Sequence, residues 1–160
     1  MNINQWVRWC PPPVMVAFIM GGMWLSQTYL LLNNQPIKHF LNGALLPLVL
    51  GLVAFAIAIM VVAAWQFRQA NTTLLPFAPE QTQQLVTKGI FRYSRNPIYV
   101  GDACIVLAWG LWLGHWAHLI GLVLFVIYMN KVQIALEERA LMGKFGATYH
   151  HYCQRVRPWL

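Results

Sequence analysis

Two segments of this 160-residue chain place ionisable and aromatic side chains beside long apolar runs. The first, residues 89–101, reads Gly-Ile-Phe-Arg-Tyr-Ser-Arg-Asn-Pro-Ile-Tyr-Val-Gly and sets two arginines and a proline against an apolar stretch. The second, residues 137–157, begins with two adjacent glutamates, in a chain that has only 4 acidic residues. Because charged groups at membrane depth are costly and usually functional, we expect the two segments to form one polar site.

The group Arg-Asn-Pro-x-Tyr in the first segment has the features of an anion-binding helix start. Pro97 suits the first turn of a helix, where the N–H that it lacks would have no helical partner. Arg95 and Asn96 then lie at the cap, beside free backbone donors and partial positive charge. The alternative is that Arg92 and Arg95 only set the topology and reach for lipid phosphates.

The paired glutamates, Glu137 and Glu138, follow the last apolar stretch of the chain. A helix C-terminus disfavours negative charge unless the helix continues, so we expect a cation to compensate them. An ordinary ion pair within the chain is one possibility, and the internal candidates are Lys131, Arg139, Arg155 and Arg157. A cationic ligand is the other.

Together the two segments offer an anion subsite, a pair of carboxylates and aromatic rings at Tyr99, Phe145, Tyr149 and Tyr152. S-adenosylmethionine matches this combination, because it carries a carboxylate, an ammonium, an adenosine and a sulfonium that favours aromatic faces. No GxGxxG pattern follows a strand, so we do not expect a Rossmann domain. Metal binding is not expected either, since the 3 cysteines have no CxxC spacing.

The elements that must position these residues are membrane helices, because 59% of the chain is hydrophobic and only 9% is charged. A span needs about 20 apolar residues to cross a hydrocarbon core of roughly 30 Å. Four segments meet or approach this length, at residues 14–32, 41–67, 98–113 and 117–135. We therefore predict one all-α domain, residues 1–160, with four transmembrane helices. An amphipathic C-terminal helix with a break near Gly146 should follow on the cytoplasmic surface.

Basic residues predict the orientation of the domain. Under a four-span arrangement, ten of the 11 lysines and arginines share one side, and Lys38 alone lies on the other. The positive-inside rule then places both termini in the cytoplasm, as expected for a protein of a bacterial inner membrane. These charges flank spans instead of lining a soluble module, so anionic lipid head groups are the expected partners and nucleic acid is not.

The two segments resemble the signature of a known group of integral membrane enzymes. Residues 89–101, as Gly-x-Phe-Arg-x-x-Arg-Asn-Pro-x-Tyr-x-Gly, are followed from residue 137 by Glu-Glu-x-x-Leu-x-x-x-Phe-Gly-x-x-Tyr-x-x-Tyr-x-x-Arg-Val. This order and spacing is similar to that of the isoprenylcysteine carboxyl methyltransferases and phospholipid methyltransferases. The resemblance covers residues 68–160.

The resemblance implies an S-adenosylmethionine site at the cytoplasmic membrane face. Asn96 stands where the eukaryotic members have histidine, which disfavours any step that needs an imidazole proton. Arg95 and Glu138 are the expected catalytic residues. The cofactor-binding residues expected from the residue chemistry and the resemblance together are Arg95, Asn96, Pro97, Tyr99, Gly110, Glu137, Glu138 and Tyr149. Gly110 is included because it would let a cofactor approach the backbone.

The predicted activity is methyl transfer from S-adenosylmethionine to an amphiphile in the bilayer. Positioning and desolvation should supply most of the catalysis. The acceptor is predicted to be a lipid-linked carboxylate, which needs no base, or a phospholipid amine, which must lose a proton to a group such as Glu138. The competing interpretation is a non-catalytic membrane protein that keeps the fold to bind lipids or other partners.

Overall fold

The computed structural model describes residues 11–29, 45–70 and 84–160, and in these ranges the chain is helical without a strand. Helix α1 is Pro12–Tyr29, α2 is Leu46–Gln69 and α3 is Pro97–Leu113, with a 3-10 turn at Gly89–Arg92 before α3. After a second 3-10 turn at Trp116–His118, helix α4 is Leu119–Tyr128. A π-helical turn at Met129–Ile134 then joins α4 to α5, Ala135–Arg155. The prediction of an all-α fold is confirmed for these ranges.

Two of the described helices are long and apolar enough to cross a membrane. They are α2 and the continuous helical stretch Trp116–Arg155. Helix α3 is a shorter apolar helix of 17 residues. Four helices thus occupy the predicted positions, but only two reach the length and hydropathy of a span, and parts of the first two predicted segments, residues 30–32 and 41–44, lie outside the described ranges.

Helices α2 and α3 pack closely because small residues line their contact. Ala56 and Ala63 are fully buried on α2, whereas large apolar side chains elsewhere on this helix are exposed, as on a lipid-facing surface. On α3, a Cβ added at Gly101 would lie 2.8 Å from Cγ of Met60 and 3.2 Å from the carbonyl oxygen of Ala56. Small residues that let helix backbones approach are typical of membrane interfaces.

The connection between the third and fourth segments, residues 114–118, is short enough to predict a tight hairpin, and the structure confirms it. Gly114 ends α3 with φ 74°, and its N–H donates to the carbonyl oxygens of Gly110 and Leu111. This left-handed conformation favours glycine. His115 then starts the next turn, where its Nδ1 accepts a hydrogen bond from the N–H of Ala117 at 3.1 Å.

The predicted break in the C-terminal helix is also present, at Gly146, where φ is 47° and ψ is −123°. Beyond this kink Tyr149 and Tyr152 of α5, together with the next residue after the helix, Val156, form a buried face that lies towards Leu85 and the turn before α3. A separate core cluster, which includes Val106, Phe125 and Met129, holds α1, α3 and α4 together. The chain therefore returns its C-terminal segment to the N-terminal end of α3.

Candidate functional site

The turn before α3 is fastened to the C-terminal tail by backbone and side-chain hydrogen bonds. Asn96 is the N-cap residue, but its side chain does not cap the helix. Instead its Nδ2 donates to the carbonyl oxygen of Pro158 at 2.9 Å, and Ser94 Oγ donates to the same oxygen at 3.2 Å. The N–H of Arg95 donates to the carbonyl oxygen of Arg157 at 3.0 Å. Pro97 occupies the first turn, as predicted.

The side chain of Arg95 joins the two segments. Its Nη2 lies 2.5 Å from Oε1 of Glu138, and its Nη1 donates to the carbonyl oxygens of Val156 at 2.8 Å and Cys153 at 3.1 Å. The Arg95 side chain is only 10% exposed, and that of Glu138 is 32% exposed. The guanidinium therefore holds a carboxylate and the end of α5 in one place.

This ion pair corrects one expectation from the sequence. The cation that compensates Glu138 is Arg95, which was not among the candidates Lys131, Arg139, Arg155 and Arg157. Those four residues lie on the same stretch of chain as the glutamates, and sequence proximity favoured them. The fold brings Arg95 to Glu138 from the other segment. The ion pair of Glu138 in this structure is therefore with a residue of the chain itself.

Glu137 belongs to a second set of hydrogen bonds beside the ion pair. Its Oε1 accepts from the hydroxyl of Tyr99, on the first turn of α3, and from Nε2 of Gln133 at 2.7 Å. Tyr99 and Gln133 are both buried. The adjacent glutamates are thus held separately, one by α3 and one by the turn before it, and both contact the segment at residues 89–101.

Gln133 is a site residue that the sequence analysis missed. It lies in the π-helical turn Met129–Ile134 and is only 1% exposed. Single π-helical turns inside longer helices occur frequently at functional sites. The available signal was a polar residue four positions before Glu137 at the end of an apolar run, because residues at this spacing share a helix face.

Two buried polar atoms in this cluster have no hydrogen-bond partner among the described residues. One is a donor, Nε of Arg95, and the other is an acceptor, Oε1 of Gln133. Leaving such a group unpaired costs about 1–3 kcal/mol, and its presence calls for an explanation. A carboxylate would satisfy the donor and an ammonium would satisfy the acceptor. The residues present therefore fit the amino-acid end of S-adenosylmethionine.

The predicted aromatic residues lie against the same cluster. Tyr149 is buried beside Tyr152, with their ring centroids 6.2 Å apart, and burial together with the nearby charge of Glu138 raises the pKa of Tyr149. Burial also raises the pKa of Tyr152. The Tyr152 hydroxyl donates to the carbonyl oxygen of Phe91 at 2.6 Å, which ties α5 to the turn before α3.

Gly110 is not brought together with the other predicted site residues. It lies 13 residues after Pro97 on α3, which corresponds to about 20 Å along a helix axis. A Cβ added there would lie 3.1 Å from Cε of Met23 and 3.4 Å from Cβ of His118. The absent side chain at this position serves close packing with α1 and the hairpin.

The sequence model described as phospholipid methyltransferase matches residues 46–148, which is more than half of the chain and includes α2, α3, α4 and both glutamates. The chain belongs to the phospholipid methyltransferase family. This confirms the resemblance found in the sequence, and it makes the protein a member of a family of membrane methyltransferases.

Individual relatives of this phospholipid methyltransferase family member match only parts of it. An uncharacterised protein of Haemophilus influenzae is 44% identical over 63 residues, which is 39% of this chain and all of that protein. Methanethiol S-methyltransferase 1 of Bradyrhizobium diazoefficiens is 40% identical over 73 residues, 44% of this chain and 25% of the relative. A Delta(14)-sterol reductase of Mus musculus is 32% identical over 77 residues, 46% of this chain and 18% of the relative. No solved structure matches the chain.

Proposed function

We propose that this protein transfers a methyl group from S-adenosylmethionine to an amphiphile in the membrane, with both termini in the cytoplasm of a bacterial cell. One observation carries the proposal. The ion pair between Arg95 and Glu138 leaves a donor unpaired at Nε of Arg95, while an acceptor is unpaired at Oε1 of Gln133 beside Glu137. An unpaired donor and an unpaired acceptor next to two carboxylates suit a zwitterionic ligand with an ammonium group.

Each residue of the cluster has a role in this proposal. Glu137, Glu138 and Oε1 of Gln133 would accept hydrogen bonds from the ammonium of the cofactor, and Nε of Arg95 would donate to its carboxylate. Tyr99 fixes Glu137 through its hydroxyl. Bound S-adenosylmethionine supplies an electrophilic methyl group on a sulfonium, so the protein needs chiefly to position the reactants and exclude water.

Hydrogen bonds between the turn before α3 and the C-terminal residues 153–158 stabilise the same site. Asn96 and Ser94 hold the carbonyl group of Pro158, and Arg95 holds those of Cys153 and Val156. These bonds keep the buried aromatic face of α5, including Tyr149, beside Leu85 and the turn before α3. In the proposal, Tyr149 would offer an aromatic face to the cofactor's cationic centre, since aromatic faces attract cations.

The acceptor is proposed to enter from the bilayer. Large apolar side chains are exposed along α2 and α4, which suits contact with lipid. Within the family the name phospholipid methyltransferase points to a lipid amine, and the partial match to a methanethiol S-methyltransferase points to a thiol. A lipid-linked carboxylate is the remaining class from the sequence analysis.

The test is transfer of labelled methyl from S-adenosylmethionine into a total membrane extract by the purified protein in detergent. We expect label in an extractable lipid product, and no label with the Glu138→Gln variant. Label that base releases as a volatile compound indicates an ester, and base-stable label indicates a methylated amine or thiol. If the folded protein binds membrane lipids but neither binds the cofactor nor transfers label, the non-catalytic lipid-binding alternative replaces this proposal.

A further inference from the structure

Asp102 is a buried acidic residue that neither the sequence analysis nor the proposed cofactor site uses. It lies in α3, well inside an apolar helix, and the residue is only 6% exposed. No hydrogen bond or ion pair joins its carboxylate to another described residue. Another polar group of the same helix does have a partner, since Nε1 of Trp109 donates to the carbonyl oxygen of Met20 at 3.1 Å. An ionisable residue at membrane depth is a functional candidate by default, because burying it is costly.

The position of Asp102 relates it to the proposed cofactor site. It follows Tyr99 by three residues, so the two side chains are neighbours on one helix face, with Cβ atoms about 5–6 Å apart. The rise of an α-helix places Asp102 about 4.5 Å deeper along α3 than Tyr99. Tyr99 in turn contacts Glu137. The carboxylate therefore lies one helical turn from the cluster, on its bilayer side.

The face that carries Asp102 is the one turned to the interior of the helix bundle. Tyr99, Val106 and Leu113 share this arc of α3, and all three belong to the core cluster with α1 and α4. The arc is separate from the one at Gly101 that packs on Met60 and Ala56 of α2. Asp102 thus lies between helices, where an acceptor coming from the membrane would meet the cofactor site.

We propose that Asp102 takes the proton of the methyl acceptor and selects acceptors whose nucleophile arrives protonated, as an ammonium or thiol group does. This inference rests on the proposed function. The proton on the nitrogen or sulfur moves to a carboxylate oxygen of Asp102, and the electron pair stays on the nucleophile. That pair forms a bond to the methyl carbon while the bond from this carbon to the sulfonium sulfur breaks, and its electron pair stays on sulfur. The proton then leaves Asp102 for water.

This assignment separates the two carboxylates that could act as a base. Glu138 is already paired with the guanidinium of Arg95, whereas no ion pair among the described residues involves Asp102. A negative charge at Asp102 also repels a carboxylate acceptor, and such repulsion is strong in a medium of low dielectric constant. The lipid-linked carboxylate is therefore the acceptor class that Asp102 disfavours.

The experiment compares wild type with Asp102→Asn, using dodecylamine, dodecanethiol and dodecanoate as probes in detergent micelles. Calorimetry should show that wild type binds dodecylamine at least tenfold more tightly than dodecanoate, and that Asp102→Asn loses this preference. Methyl transfer to the amine or the thiol should fall at least tenfold in kcat in the variant, while its Kd for S-adenosylmethionine stays within about twofold of wild type. Asp102→Glu should restore part of the transfer.

Cys104→Ser is the matched control, because Cys104 lies on another side of α3 and is only half-buried. It should leave both the binding preference and the transfer unchanged. Equal preference for dodecylamine over dodecanoate in wild type and Asp102→Asn would overturn the role of Asp102, whatever the natural acceptor is. If wild type does not bind S-adenosylmethionine, the proposed function itself is contradicted. The two failures are therefore distinguishable.

Discussion

Nη2 of Arg95 and Oε1 of Glu138 lie 2.5 Å apart although 43 residues separate them in the chain. The same guanidinium donates to the carbonyl oxygens of Cys153 and Val156, so it also anchors the end of the C-terminal helix. A single side chain thus links the start of α3 to both ends of α5. The proposed cofactor site depends on this link, because Glu138 and the aromatic face of α5 would otherwise be positioned independently.

Arg95→Lys tests the geometry of that link while it keeps the charge. A lysine ammonium is a compact point charge and cannot reproduce the planar fork that contacts a carboxylate and two carbonyl groups together. We expect the variant to insert and fold, and its methyl transfer to fall by at least about tenfold, equivalent to roughly 1.4 kcal/mol. Arg92→Lys, at an exposed position in the preceding turn, is the control. Full activity of Arg95→Lys would show that Arg95 acts only as a membrane anchor.

Tyr99→Phe tests whether the orientation of Glu137 matters. The substitution removes the hydroxyl that donates to Glu137 and leaves the buried ring in place. A hydrogen bond to a charged group contributes about 1.5–3 kcal/mol, so we expect S-adenosylmethionine to bind at least about tenfold more weakly. Tyr93→Phe, at an exposed position, should bind as wild type does. Identical Kd values for the three proteins would show that Tyr99 does not support the site.

Gly101→Ala tests the close contact of α2 and α3. The added Cβ would lie 2.8 Å from Cγ of Met60 and 3.2 Å from a backbone oxygen of α2, so the helices must shift apart. Overpacking of this kind typically costs about 1–3 kcal/mol. Thermal denaturation in detergent should show a lower Tm. Gly51→Ala is the matched control, since nothing lies within 4 Å of a Cβ there. If both variants have the same Tm as wild type, the packing described for α2 and α3 is wrong.

The orientation predicted from the basic residues is tested by reporter fusions. An alkaline phosphatase fused to the C-terminus should be inactive and a fluorescent protein at the same place should fluoresce, because the basic residues predict that both motifs lie at the cytoplasmic face. A fusion near Lys38 should give the opposite result. Export of the C-terminal reporter would contradict the four-span arrangement and separate the proposed site from cytosolic cofactor.

The sequence was sufficient for the parts of the structure that local chemistry determines. Pro97 predicted the start of α3, Gly114 and its neighbours the tight hairpin, and Gly146 the break in α5. The two motifs were also expected to meet, and Arg95 and Tyr99 do contact the paired glutamates. The proline and the glycines restrict the backbone conformation at their own positions. A charge at membrane depth, in turn, requires a polar partner nearby.

The sequence was not sufficient where the contact depends on how helices pack. The partner of Glu138 comes from 43 residues away, and nothing local distinguishes Arg95 from four nearer cations. Gln133 reaches Glu137 from a π-helical turn, which residue patterns do not reveal. Gly110 was expected at the cofactor, but the direction in which it faces, towards Met23 and His118, follows from the packing of α1 and the hairpin.

The most direct measurement is calorimetric titration of the purified protein with S-adenosylmethionine and with its demethylated product. We expect wild type to bind both. Glu137→Gln and Glu138→Gln should each weaken binding by at least about tenfold, because each loses a contact that contributes roughly 1.5–3 kcal/mol. The exposed control Gln154→Ala should bind as wild type does. Absence of binding to the folded wild type, or equal affinity in all four proteins, would contradict the cofactor site.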